Sequence, residues 1–167
     1  METDALEPSD PYAVSKYEAE QALSEVCGRS SMRLTILRPP LVYGPGVGGN
    51  FARLLRAVDR GVPLPFGAFR NRRSLVYVEN LADAIWTSIA AHAAAGGTYL
   101  VSDGEDVSTP ELIRRLAAAL ERPARLVSVP VWLLRAGAAT LGRARDFDRL
   151  AGDLALDSGA IRRALSW

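Results

Sequence analysis

The stretch "YGPGVGGN", Tyr43 to Asn50, carries the spacing Gly44-x-Gly46-x-x-Gly49. Those are the letters of a dinucleotide-binding turn. Such a turn closes the first strand of a βαβ unit, opens a helix, and is followed about 20 residues later by an acid for the ribose. The flanks here read differently. Upstream, "LTILRPPLVY" begins as a strand, but Pro39 and Pro40 each lack a ladder donor and have a fixed φ, so they end it. The glycines then sit several residues beyond the strand, and "FGAFRNRR" downstream offers no carboxylate. The loop reads as a helix entry, not as a cofactor fingerprint.

Working outward, "NFARLLRAVDRG" reads as a helix capped by Asn50 and stopped by Gly61. Before the loop lies a buried strand, "MRLTILRP", and before that a helix, "DPYAVSKYEAEQALSEVCG", with Asp10-Pro11 as start and Gly28 as stop. After it come a Pro/Gly loop, "VPLPFGAFRNRR", a strand "SLVYV", a long helix "ENLADAIWTSIAAHAAAGG" and a strand "TYLVS". Ser108 and Glu111 make a capping box for "STPELIRRLAAALE". "ARLVSVP" reads as a strand, "VWLLRAGAATLG" as a helix and "SGAIRRALSW" as a final short helix. Alternating strands and helices predict an α/β arrangement with parallel pairing. Only about four short strands are visible and the first element is a helix, so the chain reads as starting in the middle of a domain.

Composition bounds the rest. With 167 residues and 49% apolar content this is one globular domain, or part of a larger one. A net charge of +1 argues against a nucleic-acid surface. Cys27 is the only cysteine, which excludes an internal disulfide, suits a reducing cytoplasm, and sits in no metal-ligand pattern. "METDALEPSDP" is acidic and lacks the apolar core of a signal peptide. The longest apolar stretch, "VSVPVWLLRAGAATLG", is too short to span a bilayer and contains Arg135. A buried amphipathic helix is the favoured reading there, and interfacial membrane contact the rival.

Tyr12 and Lys16 stand four apart, one turn of the opening helix, and so share a face. Lys16 is the only lysine in a chain otherwise rich in arginine. A free tyrosine is a poor base at neutral pH; a nearby ammonium favours the phenolate. Such a pair can take a proton from an alcohol while hydride leaves the same carbon, or run the reverse for a ketone. An exposed helical pair without chemistry would look the same.

"DPYAVSKYEAEQAL", "LTILRPPLVYGPG" and "RRSLVYVENLADAI" together, in this order and spacing, resemble the extended short-chain dehydrogenase/reductases. The likeness is greatest to the NAD-dependent nucleotide-sugar epimerases, dehydratases and reductases. It implies the C-terminal part of a Rossmann-like doubly wound sheet plus the smaller substrate-binding subdomain. Residues 1–167 would be an incomplete domain that begins just before the Tyr-x-x-x-Lys helix, without the Gly-rich first turn. The family's catalytic Ser or Thr is not found either; Thr3 lies in the acidic approach to the motif.

Through this resemblance Tyr12 is the acid/base and Lys16 lowers its pKa while bonding the nicotinamide ribose. Pro39 and Pro40 line the nicotinamide side, with NAD as the expected cofactor and NADP left open. The glycine loop then belongs to a sugar-nucleotide edge. There Asn50, Arg73 and Arg149 are expected to contact the ligand, the arginines at its diphosphate, with Leu64 and Phe66 as apolar walls on the uridine side. Leu41 stands where many members carry an asparagine. The implied reaction is oxidoreduction at C4 of a UDP-linked hexose or N-acetylhexosamine, in a homodimer paired through helices that include the tyrosine helix. No metal is implied, and His92 reads as a packing or surface residue. The alternative is a non-catalytic sugar-nucleotide-binding or scaffold fragment.

Overall fold

The opening helix forms as α1 (Pro11–Gly28) with the expected stop, yet none of its residues is buried. It begins a computed structural model that describes residues 11–91, 96–165 and 167. The chain divides into two units: Met1–Pro40, Val76–Asp103 and Leu156–Trp167 form unit 1, and Leu41–Leu75 with Gly104–Ala155 form unit 2. His92 and Thr3 lie outside the described residues.

Unit 1 is built on two strands. β1 (Ile36–Arg38) pairs in parallel with β4 (Thr98–Leu100), Leu37 opposite Tyr99. Helices α1, α3 (Val78–Ala90) and α7 (Gly159–Leu165) complete it. Its fully buried side chains are few: Val76, Ala84, Val101, Ser102 and Ile161. Parallel strands joined through a helical crossover are the expected βαβ logic.

Unit 2 contains β2 (Leu41–Tyr43), α2 (Gly49–Asp59), β5 (Asp106–Val107), α4 (Thr109–Ala119), α5 (Val131–Thr140) and α6 (Ala144–Ala151). Its sheet runs in the order β2-β3-β5, where β3 is Arg73–Tyr77. Here the expectation of parallel pairing fails: β3 and β5 are antiparallel, with Arg73 opposite Val107. The core is α2 against α4, with Val58, Leu64, Ile113 and Ala117 buried. A second knot of aromatic edges joins Phe66 to Phe69 and Phe69 to Phe147, at centroid distances of 5.3 and 5.9 Å.

Four local expectations are corrected. Pro39 and Pro40 interrupt pairing for only two residues, so β2 ends directly before Gly44 and the glycine loop does link a strand to a helix. Gly44, Gly46 and Gly49 hold φ values of 145°, 78° and 61°, which only glycine adopts cheaply; open space surrounds a Cβ at Gly46 and Gly49, so conformation and not crowding explains them. The cap of α2 is Gly48, with no side-chain bond, and Asn50 lies inside the first turn. "ARLVSVP" forms no strand, only isolated bridges of Leu126 to Leu64 and Ser128 to Phe66. Finally, α5 has no buried residue, against the expectation of a buried amphipathic helix.

Candidate functional site

The residues nominated from the sequence fall into two groups. Tyr12, Lys16, Pro39 and Pro40 belong to unit 1; Asn50, Leu64, Phe66, Arg73 and Arg149 belong to unit 2.

In unit 1 the Lys16 Nζ lies 5.4 Å from the centroid of the Tyr12 ring, so the pair meets across one helical turn, and the ring is exposed. One turn further along the same stripe stands Glu20. Its carboxylate accepts two bonds from Arg38, from Nε at 3.0 Å and Nη2 at 2.5 Å. The fork is largely shielded, with about a fifth of each side chain exposed, and the bond to Glu20 raises the Arg38 guanidinium pKa further above its ordinary value. Glu20 therefore pins the stripe of Tyr12 and Lys16 to the end of β1, directly before exposed Pro39 and half-buried Pro40. Glu20 and Arg38 were not nominated, although the i, i+4, i+8 spacing of Tyr12, Lys16 and Glu20 carried the signal.

In unit 2, Arg73 Nη1 donates to the carbonyls of Arg149 at 2.9 Å and Leu150 at 3.1 Å. Arg73 and Arg149 thus come together, through the backbone of the second. Burial pushes the Arg73 guanidinium below its ordinary pKa. Among the described residues no carboxylate compensates its charge. The contrast within the loop is direct: Arg72 pairs with Asp106 at 2.8 Å, and elsewhere Arg115, Arg122 and Arg135 each hold a carboxylate. A half-buried cation held by two carbonyls and matched to no carboxylate is suited to an external anion.

The geometry of that arginine depends on a residue the sequence did not disclose. Asn71 is buried, donates to Thr109 Oγ1 at 3.0 Å and to the Leu150 carbonyl at 3.2 Å, and accepts from the Thr109 amide at 3.0 Å. Asn71 and Arg73 thus share the Leu150 carbonyl, and the amide fixes the loop that aims the guanidinium. Of the expected apolar walls, Leu64 is spent in the core while Phe66 is half-buried beside it. Asn50 is exposed and released from capping. Unit 1 also has an open cleft of about 620 Å³ lined by Leu34, Leu37, Ile85 and Ile89 with Arg33 and Ser88, but none of the nominated residues borders it. No group of three or more His, Cys, Asp or Glu side chains able to hold a metal occurs among the described residues.

A model of the NAD dependent epimerase/dehydratase family matches residues 1–102. The chain belongs to that family. It is 46% identical over 161 residues to the UDP-glucose 4-epimerase of Vibrio cholerae, covering 96% of this chain and 49% of that protein. It is 29% identical over 132 residues to the N-acetyl-alpha-D-glucosaminyl-diphospho-ditrans,octacis-undecaprenol 4-epimerase of Escherichia coli O157:H7, covering 76% and 40%. The UDP-N-acetylglucosamine 4-epimerase structure from Bacillus cereus aligns with a TM-score of 0.76 at 17% identity, over 100% of this chain and 51% of that one, and shares its Rossmann-like α/β fold. The chain spans half or less of the length of these relatives.

Membership implies a nicotinamide dinucleotide, and one end of that group finds fitting residues. The exposed Tyr12–Lys16 pair offers a phenol and an ammonium on one stripe of α1, and the Glu20–Arg38 bond ties that helix to β1 directly before Pro39 and Pro40 in the chain. The glycine loop does not fit the pyrophosphate end: although it follows β2, β2 belongs to the small β2-β3-β5 sheet of unit 2 and not to the parallel pair.

Proposed function

We propose that this chain supplies the acid/base pair and the sugar-nucleotide face of an NAD-dependent oxidoreductase acting at C4 of a UDP-linked hexose or N-acetylhexosamine. The observation that carries the proposal is the locked Tyr12–Lys16 stripe in a member of this family. Tyr12, as phenolate, takes the proton of the C4 hydroxyl as the carbon–hydrogen bond at C4 breaks. A nicotinamide bound beside this stripe would supply the hydride acceptor. Lys16 sets its ammonium beside the Tyr12 ring and bonds the nicotinamide ribose, while Pro39 and Pro40 keep water from one side of the reacting carbon. On the other ligand half, Arg73 bonds the diphosphate through its fork, Arg149 adds a second cation, Asn50 donates at the loop of glycine amides, and Phe66 flanks the uridine. Delivery of the hydride back to the opposite face of a reoriented ketosugar, with the proton returned to its oxygen by Tyr12, would give an epimer.

The dinucleotide pyrophosphate is assigned to a further βαβ half carried by a longer protein, so this chain alone binds sugar nucleotide without redox turnover. Two assays test this. The 167-residue chain mixed with UDP-glucose and NAD should give no reduced nicotinamide and no epimer; turnover would refute the division of labour. In a protein joining this chain to such a half, Tyr12→Phe should lower turnover by about 10²–10⁴-fold. Undiminished turnover would remove Tyr12 from the chemistry.

A further inference from the structure

Helix α5 inverts the usual pattern of a surface helix. Its half-buried side, against α6, is Leu134 and Ala138. Its outward side is Trp132, Leu133, Ala136, Ala139 and Thr140, with Trp132 71% and Leu133 49% exposed, and Leu141 beyond them 77% exposed. A surface helix ordinarily turns charge to water and apolar groups inward.

Several polar groups of this helix are satisfied within the unit. The Thr140 hydroxyl donates back to the Gly137 carbonyl at 2.8 Å. Arg135, on the flank, forks onto Asp148 at 2.9 and 3.2 Å. The helix end is closed by Gly142 donating to the Ala139 carbonyl and Arg143 to the Ala138 carbonyl, with Gly142 at φ 69°. Covering this face leaves these bonds intact.

The charge of the whole unit bears on what covers it. The near-neutral total of +1 hides a division: unit 2 holds fourteen arginines and eight carboxylates, a net of +6, while unit 1 holds six basic and eleven acidic side chains, a net of −5. Two copies meeting through α5 would bring like charge together. A basic unit bearing a rigid, tryptophan-edged apolar helix instead complements a surface that is apolar inside and anionic at its rim. The helix has ten residues, and no described helix is long and apolar enough to cross a membrane. It can only lie in the interface.

We infer that unit 2 docks on anionic lipid bilayers through α5, with Trp132, Leu133 and Leu141 entering the headgroup boundary and Arg143 at the phosphates. The inference is independent of the catalytic reading. The test is flotation of the full chain with vesicles of phosphatidylcholine, with and without phosphatidylglycerol. Trp86→Phe and Trp167→Phe leave Trp132 as the only indole. The chain should float with the anionic vesicles and less so with raised salt. Trp132 emission should shift to the blue and be quenched by brominated lipid. Leu133→Ser and Leu141→Ser should each weaken partitioning by about tenfold, the loss of one buried aliphatic side chain, with unchanged circular dichroism. Absence of flotation on anionic vesicles overturns the inference. So does flotation unaltered by both serine variants, or a Trp132 blue shift that tracks protein concentration without lipid, which would make α5 a protein–protein surface.

Discussion

Unit 1 and unit 2 solve burial differently. Unit 2 packs α2 on α4 around Val58 and Ile113, adds the Phe66–Phe69–Phe147 knot, and satisfies its buried amide, Asn71, three times over. Unit 1 has a two-stranded parallel pair, an 18-residue helix with no buried residue, and a buried hydroxyl, Ser102, with no hydrogen-bond partner among the described residues. Two parallel strands are far from the usual sheet of about five or six. The core of unit 2 is packed between two helices, although its α5 stays exposed, whereas unit 1 has a long helix without a buried residue. That matches the division of chemistry proposed above: the unit carrying Tyr12 and Lys16 is the one with layers left to fill.

The comparison can be broken most severely at the cores. Ile113→Ala, in unit 2, should lose about 2–5 kcal/mol of stability in chemical denaturation. Leu23→Ala, on α1, should stay within about 0.5 kcal/mol. Equal losses would mean that α1 is packed as firmly as α4. Next in size is Asn71→Ala. Leaving Thr109 and the Leu150 carbonyl without their partner should cost about 1–3 kcal/mol and weaken UDP-glucose binding through Arg73.

The two units were also unequally legible. Local signals held: Gly28 stops α1, and the Ser108 hydroxyl accepts from the Glu111 amide at 3.3 Å. Only half of the expected capping box is visible, because the Glu111 carboxylate turns to Arg114 and Arg115. The alternation of strand and helix gave the α/β class, and one turn of helix gave the Tyr12–Lys16 pair. What escaped was non-local or very short. Asn71 sits between arginines in what reads as a Pro/Gly loop, and its partners are 38 and 79 residues away. β5 has two residues, and β2 hides behind two prolines. Helix α5 was misjudged because apolar composition says that a face seeks cover, not that its own chain supplies it.

A smaller effect sharpens the contrast. Ser102→Ala removes a buried hydroxyl without a partner, so it should be neutral or stabilise by up to about 1 kcal/mol. A clear loss would show that something bonds Ser102 after all. The smallest effect lies on the surface of unit 2. The Arg115 fork, bonding at 2.6 and 2.8 Å, holds the Glu105 carboxyl below its ordinary value of 4.5. A lowered folded-state value means a stabilisation present above the ordinary value and lost as pH falls through the lowered one. Glu105→Gln should therefore differ slightly from the parent near neutrality, and the two denaturation curves should converge as the pH falls through that lowered value.

The central claim is that one arginine of the "FRNRR" loop, the half-buried one without a carboxylate, receives the sugar-nucleotide diphosphate. Calorimetric titration of the full 167-residue chain with UDP-glucose tests it most directly, comparing Arg73→Ala with its neighbour variant Arg70→Ala. The account predicts that Arg73→Ala weakens binding by about tenfold or more, the loss of a charge-assisted hydrogen bond, while Arg70→Ala leaves it within about twofold. Equal affinities for the parent and Arg73→Ala, or equal losses in both variants, would contradict it.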